Sequence, residues 1–124
     1  MDSQREPEVA FSMPGGETCG ASDGRPIDLA HLAQQTMGDR DLEREVLSLF
    51  VQQALSVRDR IAEARGRDRF MLAHGLKGSA RGVGAFAIAE CAAEIERNLE
   101  DADAVRRLGG LVEDVRDFVA AISR

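Results

Sequence analysis

The stretch of residues 73–85, with the sequence AHGLKGSARGVGA, contains the residue types most able to do chemistry. In a helix with about 100° per residue, its polar and bare positions gather on one face and its apolar positions on the opposite face. The first face holds His74, Gly78 and Arg81, with Phe70 and Lys77 beside them. The second face holds Leu72, Leu76, Ser79 and Val83. We therefore expect the imidazole of His74 to face water.

Three glycines, Gly75, Gly78 and Gly82, lie within this predicted helix. A glycine in a helix interior costs about 0.5–1 kcal/mol relative to alanine, so their presence indicates a demand other than helix stability. Gly78 lies one turn from His74 on the same face, where any side chain would crowd the ring. A bare position there lets a partner or a phosphoryl group approach the ring closely.

These residues suit a phosphohistidine. A neutral imidazole nitrogen is an adequate nucleophile near pH 7, needs no activating base to attack a phosphoryl group, and forms a labile P–N bond. Phosphoryl transfer depends on in-line geometry and charge neutralisation more than on covalent help from the protein. An exposed His74 with the cation of Lys77 within reach then suffices, provided that a partner supplies the metal ion and the aspartate.

The local charge agrees with an anionic partner. The chain has a net charge of −6, yet residues 65–81 carry Asp68 alone against five basic side chains, Arg65, Arg67, Arg69, Lys77 and Arg81. Such a basic patch steers a domain towards an acidic, metal-binding pocket. The net negative charge of the chain argues against nucleic acid as the partner. The sequence also lacks nucleic-acid motifs and has no Trp or Tyr that could stack on bases.

The run from His74 to Ser79, followed by Gly84-Ala85, resembles the signature of the histidine-containing phosphotransfer (HPt) domains of bacterial multistep phosphorelays. The resemblance implies that His74 is the phosphorylated residue. It also implies that Lys77 is its electrostatic helper and that Gly78 clears space around the ring.

The resemblance covers roughly residues 28–122 and includes a further site position, in the helix that follows His74. The family has an acidic or amide residue late in the following helix that hydrogen-bonds the imidazole, and Glu96 matches that position. The alternative for Glu96 is a surface ion pair with Lys77, Arg97 or another cation.

The resemblance implies a phosphocarrier rather than an enzyme. The phosphoryl group would come from a receiver-domain aspartate or a hybrid kinase and pass to the aspartate of a response regulator. The partners implied are therefore receiver domains and a sensor or hybrid histidine kinase. The sequence carries no nucleotide-binding glycine loop, so we expect neither an ATP site nor a cofactor of its own, with Mg²⁺ supplied by the receiver.

Capping residues and hydrophobic periodicity predict five helices. A short helix is expected at Asp28 to about Thr36, and a long one, capped by Asp39 and closed by Gly66, up to about Ala64. The others are expected at about 68–82, 85–100 and 102–122. Aromatic residues make up only 4% of the chain, which favours helices over sheets. Short connections make neighbours antiparallel, so the expected fold is an all-α, up-down-up-down four-helix bundle with a short extra N-terminal helix.

All three prolines and several glycines fall within residues 1–26, which predicts a flexible N-terminal tail. Residues 27–124 should form one HPt-like bundle domain. The two cysteines, Cys19 and Cys91, have no metal-binding spacing, and no apolar run approaches the roughly 20 residues that span a bilayer. We expect a cytoplasmic monomer with no metal site and no membrane segment.

Other residues allow plainer interpretations. His31 lacks the lysine and glycine neighbours of His74 and is expected to be an ordinary surface histidine. The predicted core stripe of the long helix comprises Leu42, Val46, Phe50, Val57 and Ile61, which recur at three- and four-residue steps. Val51 and Leu55 project away from this stripe, so they are either a patch that docks a partner or scattered exposed aliphatics.

Two other functions remain open. A helical adapter would regulate a signalling partner by contact alone, and His74→Ala would then leave the pathway working. The dimerisation and phosphoacceptor module of a histidine kinase is also helical, but its acceptor is typically followed by an acidic residue and then by Thr-Pro. This chain has Gly75 after its histidine and no proline beyond Pro26. That module would also be an obligate dimer, so the mass in solution separates it from a phosphocarrier.

Overall fold

The computed structural model describes residues 24–123 of the protein. Over these residues the chain forms five helices and no strand: α1 (Leu29–Gln35), α2 (Arg40–Ile61), α3 (Gly66–Val83), α4 (Phe86–Arg97) and α5 (Ala102–Ile122). The predicted all-α class is therefore confirmed for this part of the chain. Most of the predicted tail, residues 1–23, lies outside the described residues.

Aspartate side chains fix the starts of three helices. Each accepts a hydrogen bond from the backbone N–H three residues on, the pairs being Asp28 with His31 (3.1 Å), Asp39 with Leu42 (3.1 Å) and Asp101 with Ala104 (3.0 Å). These bonds satisfy N–H groups that the first helical turn leaves without a partner, and each such cap contributes about 1 kcal/mol. The caps predicted at Asp28 and Asp39 are both present.

The boundary between α2 and α3 differs from the prediction. α2 ends at Ile61 rather than near Ala64, and Gly66, expected to close α2, is the first residue of α3 with a φ of +51°. Glycine adopts positive φ at little steric cost, so the chain turns directly into α3 two residues before the expected start at Asp68.

The corner between α3 and α4 depends on Gly84, which has a φ of +89°. Its carbonyl accepts the N–H of Asp28 at 2.9 Å, and a Cβ on Gly84 would lie 2.9 Å from the carbonyl oxygen of Asp28. This position therefore needs glycine for both conformation and space. α4 then ends at Arg97 rather than near Glu100, because Asn98 is extended.

The core stripe of α2 is displaced from the predicted one at its N-terminal end. The buried residues are Leu47, Phe50, Ala54, Val57 and Ile61, whereas the prediction was Leu42, Val46, Phe50, Val57 and Ile61. Leu42 is exposed and Val46 only lines the edge of the core. With Leu47 and Ala54 included, buried residues recur every three or four positions from Leu47 to Ile61. This continuous stripe determines which face of α2 is turned towards the core.

The four long helices enclose one core. α3 packs against α2 and α4, α5 packs against the same two helices, and the short α1 packs against α3. Arg69 of α3 ties the helix ends together: its Nε donates to the carbonyl of Ile61 (3.0 Å), Nη2 to that of Ala62 (2.8 Å) and Nη1 to that of Leu99 (2.7 Å). The anchored segment lies just before His74 on the same helix.

Candidate functional site

His74 lies in the middle of α3, and its side chain is 57% exposed. The prediction that the imidazole of His74 faces water is therefore confirmed. Phe70, one turn earlier, stacks on the ring with a centroid distance of 5.7 Å and an interplanar angle of 12°. The aromatic ring supports one face of the imidazole and leaves its edge accessible.

Glu96, near the end of α4, contacts both His74 and Lys77 of α3. Its Oε2 lies 2.7 Å from Nδ1 of His74, and its Oε1 accepts a hydrogen bond from Nζ of Lys77 at 2.6 Å. The Glu96 side chain is only 12% exposed and that of Lys77 only 18%. The two interpretations of Glu96, orientation of the ring and pairing with Lys77, thus describe contacts that are both present.

The charge of Glu96 determines which ring nitrogen is free. Burial raises the pKa of the Glu96 carboxyl, but hydrogen bonds and charges from Lys77 and His74 outweigh burial and hold the pKa below its ordinary value. The carboxyl is therefore ionised at neutral pH and only accepts hydrogen bonds, so Nδ1 of the neutral ring carries the proton. Nε2 then keeps its lone pair, and the site presents a nucleophilic nitrogen that needs no base.

Gly78 lies one turn after His74 and faces open space. A Cβ at Gly78 would meet no atom within 4 Å, and the same holds for Gly75 and Gly82. The expectation that any side chain at Gly78 would crowd the ring is therefore wrong for a methyl group, which would not touch the imidazole. The clearance that Gly78 provides extends outwards, towards whatever approaches His74.

The basic patch predicted over residues 65–81 is smaller than expected. Arg69 is only 7% exposed and all three of its guanidinium nitrogens bind backbone carbonyls, so it belongs to the fold. Arg69 lies on the same buried stripe of α3 as Ala73 and Leu76. The pattern of apolar residues in the sequence could not predict this burial, because arginine is a charged residue. Arg67 and Arg81 remain exposed on α3, seven residues before and after His74.

The predicted docking pair on α2 is placed differently from the prediction. Val51 and Leu55 are half-buried and pack against the core, rather than projecting away from it, because the core stripe passes next to them through Phe50 and Ala54. Their role in binding a partner stays a prediction. Met71, which the sequence reasoning missed, is half exposed and follows Phe70 directly.

The basic residues of the chain are unevenly divided between arginine and lysine. The chain contains fifteen arginines and a single lysine, Lys77, and that lysine lies at the site. Lysine is a compact ammonium on a flexible stem, whereas arginine is a rigid planar fork. The one compact ammonium of the chain therefore lies beside His74, and all other cationic side chains are guanidinium groups, apart from the two histidines if protonated.

Within residues 24–123, no group of three or more His, Cys, Asp or Glu side chains is arranged to hold a metal ion. None of the helices described over this range has the length and apolarity needed to cross a membrane.

The chain matches a known family model. The family model of the Hpt domain matches residues 45–124, a range that includes most of α2 and the whole of α3, α4 and α5. The matched range contains His74, Lys77, Gly78 and Glu96. Comparison with curated proteins and with solved structures gives no match.

Proposed function

Because the chain belongs to the Hpt domain family, we propose that it is a histidine phosphotransfer protein whose phosphoacceptor is His74. Hpt domains are phosphocarriers of phosphorelays rather than enzymes, and they interact with receiver domains and histidine kinases. In our proposal His74 accepts the phosphoryl group from the aspartate of a receiver domain or hybrid kinase. It then passes the group to the aspartate of a response regulator.

The observation that carries this proposal is the exposed His74 ring, with Nδ1 bound to Glu96 and Nε2 without a hydrogen-bond partner among residues 24–123. The lone pair of Nε2 attacks the phosphorus of the partner's aspartyl phosphate, in line with the bond to the carboxylate oxygen. The P–N bond forms as that P–O bond breaks, and its electron pair leaves with the aspartate. No proton moves, since Nε2 carries none and Nδ1–H stays hydrogen-bonded to Glu96.

The reaction places positive charge on the imidazole, because the ring keeps its Nδ1 proton while Nε2 becomes bonded to phosphorus. The ionised Glu96 carboxylate, 2.7 Å from Nδ1, stabilises that charge. Lys77 offsets the negative charge of the phosphoryl group, and Gly78 leaves the space through which the partner approaches. Phe70, Met71 and Arg81 lie on the same exposed side of α3 and supply contacts to that partner.

The other participants belong to the partner. We propose that Mg²⁺ held by the receiver neutralises the phosphoryl oxygens during transfer and that this chain needs no cofactor of its own. We further propose that the protein acts as a cytoplasmic monomer.

We also propose an arrangement for the helices. Residues 27–124 form an antiparallel up-down-up-down bundle, and α1 is an addition at one end of it. Support comes from the short connections between consecutive helices. Arg69 adds to it, because its bonds bring the end of α2, the start of α3 and the turn after α4 to the same place.

The experiment that tests the function is transfer from a phosphorylated receiver domain in the presence of Mg²⁺. The protein should acquire an acid-labile, base-stable phosphate, which a second, unphosphorylated receiver then removes. The chain has only two histidines, so His31→Gln is the matched control and should still be labelled, whereas His74→Gln should not. Labelling that persists in His74→Gln refutes the assignment of the acceptor.

A further inference from the structure

The carboxylate of Glu96 lies between the side chains of His74 and Lys77 and makes a short contact with each of them. Nδ1 of His74 and Nζ of Lys77 lie 2.7 Å and 2.6 Å from the two oxygens of Glu96. Both the carboxylate and the ammonium are largely buried, so neither charge is freely solvated. In the unphosphorylated protein, the ammonium of Lys77 is therefore paired with the carboxylate of Glu96.

Phosphorylation of Nε2 changes the charges on both sides of this arrangement. The imidazole gains a positive charge next to Glu96, and the phosphoryl group adds roughly two negative charges and three strong acceptor oxygens on the other nitrogen. The ring then replaces Lys77 as the counter-ion of the carboxylate. The phosphoryl group becomes the site with uncompensated negative charge.

Lys77 is placed to respond. It lies three residues after His74, on the adjacent face of the helix, and one carboxylate joins both side chains. Arg67 and Arg81 are each seven residues from His74, about 10 Å along the helix, so Lys77 is the nearer cation of the three. Its flexible stem and three rotatable donors allow a change of partner that a guanidinium fork would resist.

From this geometry we infer that Glu96 is a positioning residue for Lys77 as well as for His74, and that Lys77 moves from the Glu96 carboxylate to the phosphoryl group when His74 is phosphorylated. The inference rests on the proposed function of His74 as phosphoacceptor. It adds a specific role to Glu96, which keeps the ammonium of Lys77 next to the ring until the negative charge arrives.

The single lysine makes the test unambiguous. The full chain is prepared with ¹³C,¹⁵N-lysine, so that all lysine side-chain NMR signals come from Lys77. Phosphoramidate serves as a small-molecule phosphoryl donor, and ³¹P NMR reports the phosphohistidine. The variants are Glu96→Gln and, as a matched control that changes the same charge on the same helix, Glu94→Gln, since Glu94 pairs with Arg107 rather than with Lys77.

Before phosphorylation, the terminal signals of Lys77 should differ between the unmodified protein and Glu96→Gln, and should be unchanged in Glu94→Gln. After phosphorylation, the Lys77 signals of the unmodified protein should move and should nearly coincide with those of phosphorylated Glu96→Gln. Lys77 signals that stay at their original positions while ³¹P NMR shows a phosphorylated ring overturn the inference and leave the proposed function intact. If neither phosphoramidate nor a receiver domain phosphorylates His74, both are refuted.

A second measurement reads the phosphoryl group itself. A cation within about 4–6 Å lowers the titration midpoint of an acid by roughly 1–3 units, and partial exposure reduces the effect. The ³¹P titration midpoint of the phosphohistidine should therefore lie about one pH unit lower in the unmodified protein than in Lys77→Met. Glu96→Gln should lower the midpoint further when Lys77 is present and by less in the Lys77→Met background. Equal midpoints in the unmodified protein and Lys77→Met contradict the inference.

Discussion

Oε2 of Glu96, near the end of α4, lies 2.7 Å from Nδ1 of His74, in the middle of α3. This contact joins the two helices at the proposed phosphoacceptor and determines which ring nitrogen carries the proton. The site is therefore defined by tertiary packing, although each of its residues is recognisable in the sequence.

The charge of Glu96 makes part of the stability depend on pH. Burial raises the pKa of Glu96, but hydrogen bonds from Lys77 and His74 outweigh it and hold the folded-state pKa below the ordinary value of 4.5. Its contribution is complete above the unfolded-state pKa and is lost as the pH falls through the lower folded-state value. Glu96→Gln should therefore lower the free energy of unfolding at pH 7 by more than it does in acid.

Urea denaturation of the unmodified protein and Glu96→Gln at several pH values measures this difference. Glu94→Gln removes an exposed carboxylate from the same helix and should show a much smaller difference at every pH. A Glu96→Gln effect that is constant across the acid range would contradict the lowered pKa.

Gly78 should be replaceable without loss of stability. A Cβ at Gly78 or at Gly110 of α5 meets nothing within 4 Å, so alanine at either position should stabilise the fold by about 0.5–1 kcal/mol. Glutamine at Gly78 should block phosphotransfer from a receiver while the protein stays folded. Glutamine at Gly110 should leave transfer unchanged, and equal transfer by the two glutamine variants would show that the open space at Gly78 has no role.

Gly84 should be far less tolerant. It adopts a φ of +89° and its Cβ would lie 2.9 Å from the carbonyl oxygen of Asp28, so Gly84→Ala should cost about 1–3 kcal/mol. Gly82→Ala, two residues earlier in open space, should be neutral or stabilising. Thermal denaturation of both variants checks this, and a Gly84→Ala protein as stable as Gly82→Ala would contradict the corner described above.

Arg69 should act on stability alone. Replacing it with methionine removes three hydrogen bonds to backbone carbonyls and should cost about 2–4 kcal/mol. Arg67→Met, at an exposed position on the same helix, should change the free energy of unfolding by less than about 0.5 kcal/mol. Urea denaturation distinguishes the two, and similar values would mean that Arg69 does not anchor the helix ends.

The sequence predicted the helices and the exposure of His74 because both depend on local periodicity. The apolar residues of α2 allowed more than one stripe, and the choice of Leu47 over Leu42 depends on how α2 packs against its neighbours. The burial of Arg69 could not be predicted, since its partners are backbone carbonyls at the end of α2 and in the turn after α4. Glu96 was assigned from family resemblance, and its two simultaneous contacts emerge only when α3 and α4 are packed together.

Locating the phosphoryl group in the intact protein tests whether His74 carries it on Nε2. After transfer from a phosphorylated receiver with Mg²⁺, NMR of the ¹⁵N-histidine-labelled chain should show coupling to phosphorus at Nε2 of His74 and at no nitrogen of His31. A phosphate bonded to Nδ1 or to another residue, or the absence of any phosphorylation, would rule out Nε2 of His74 as the acceptor.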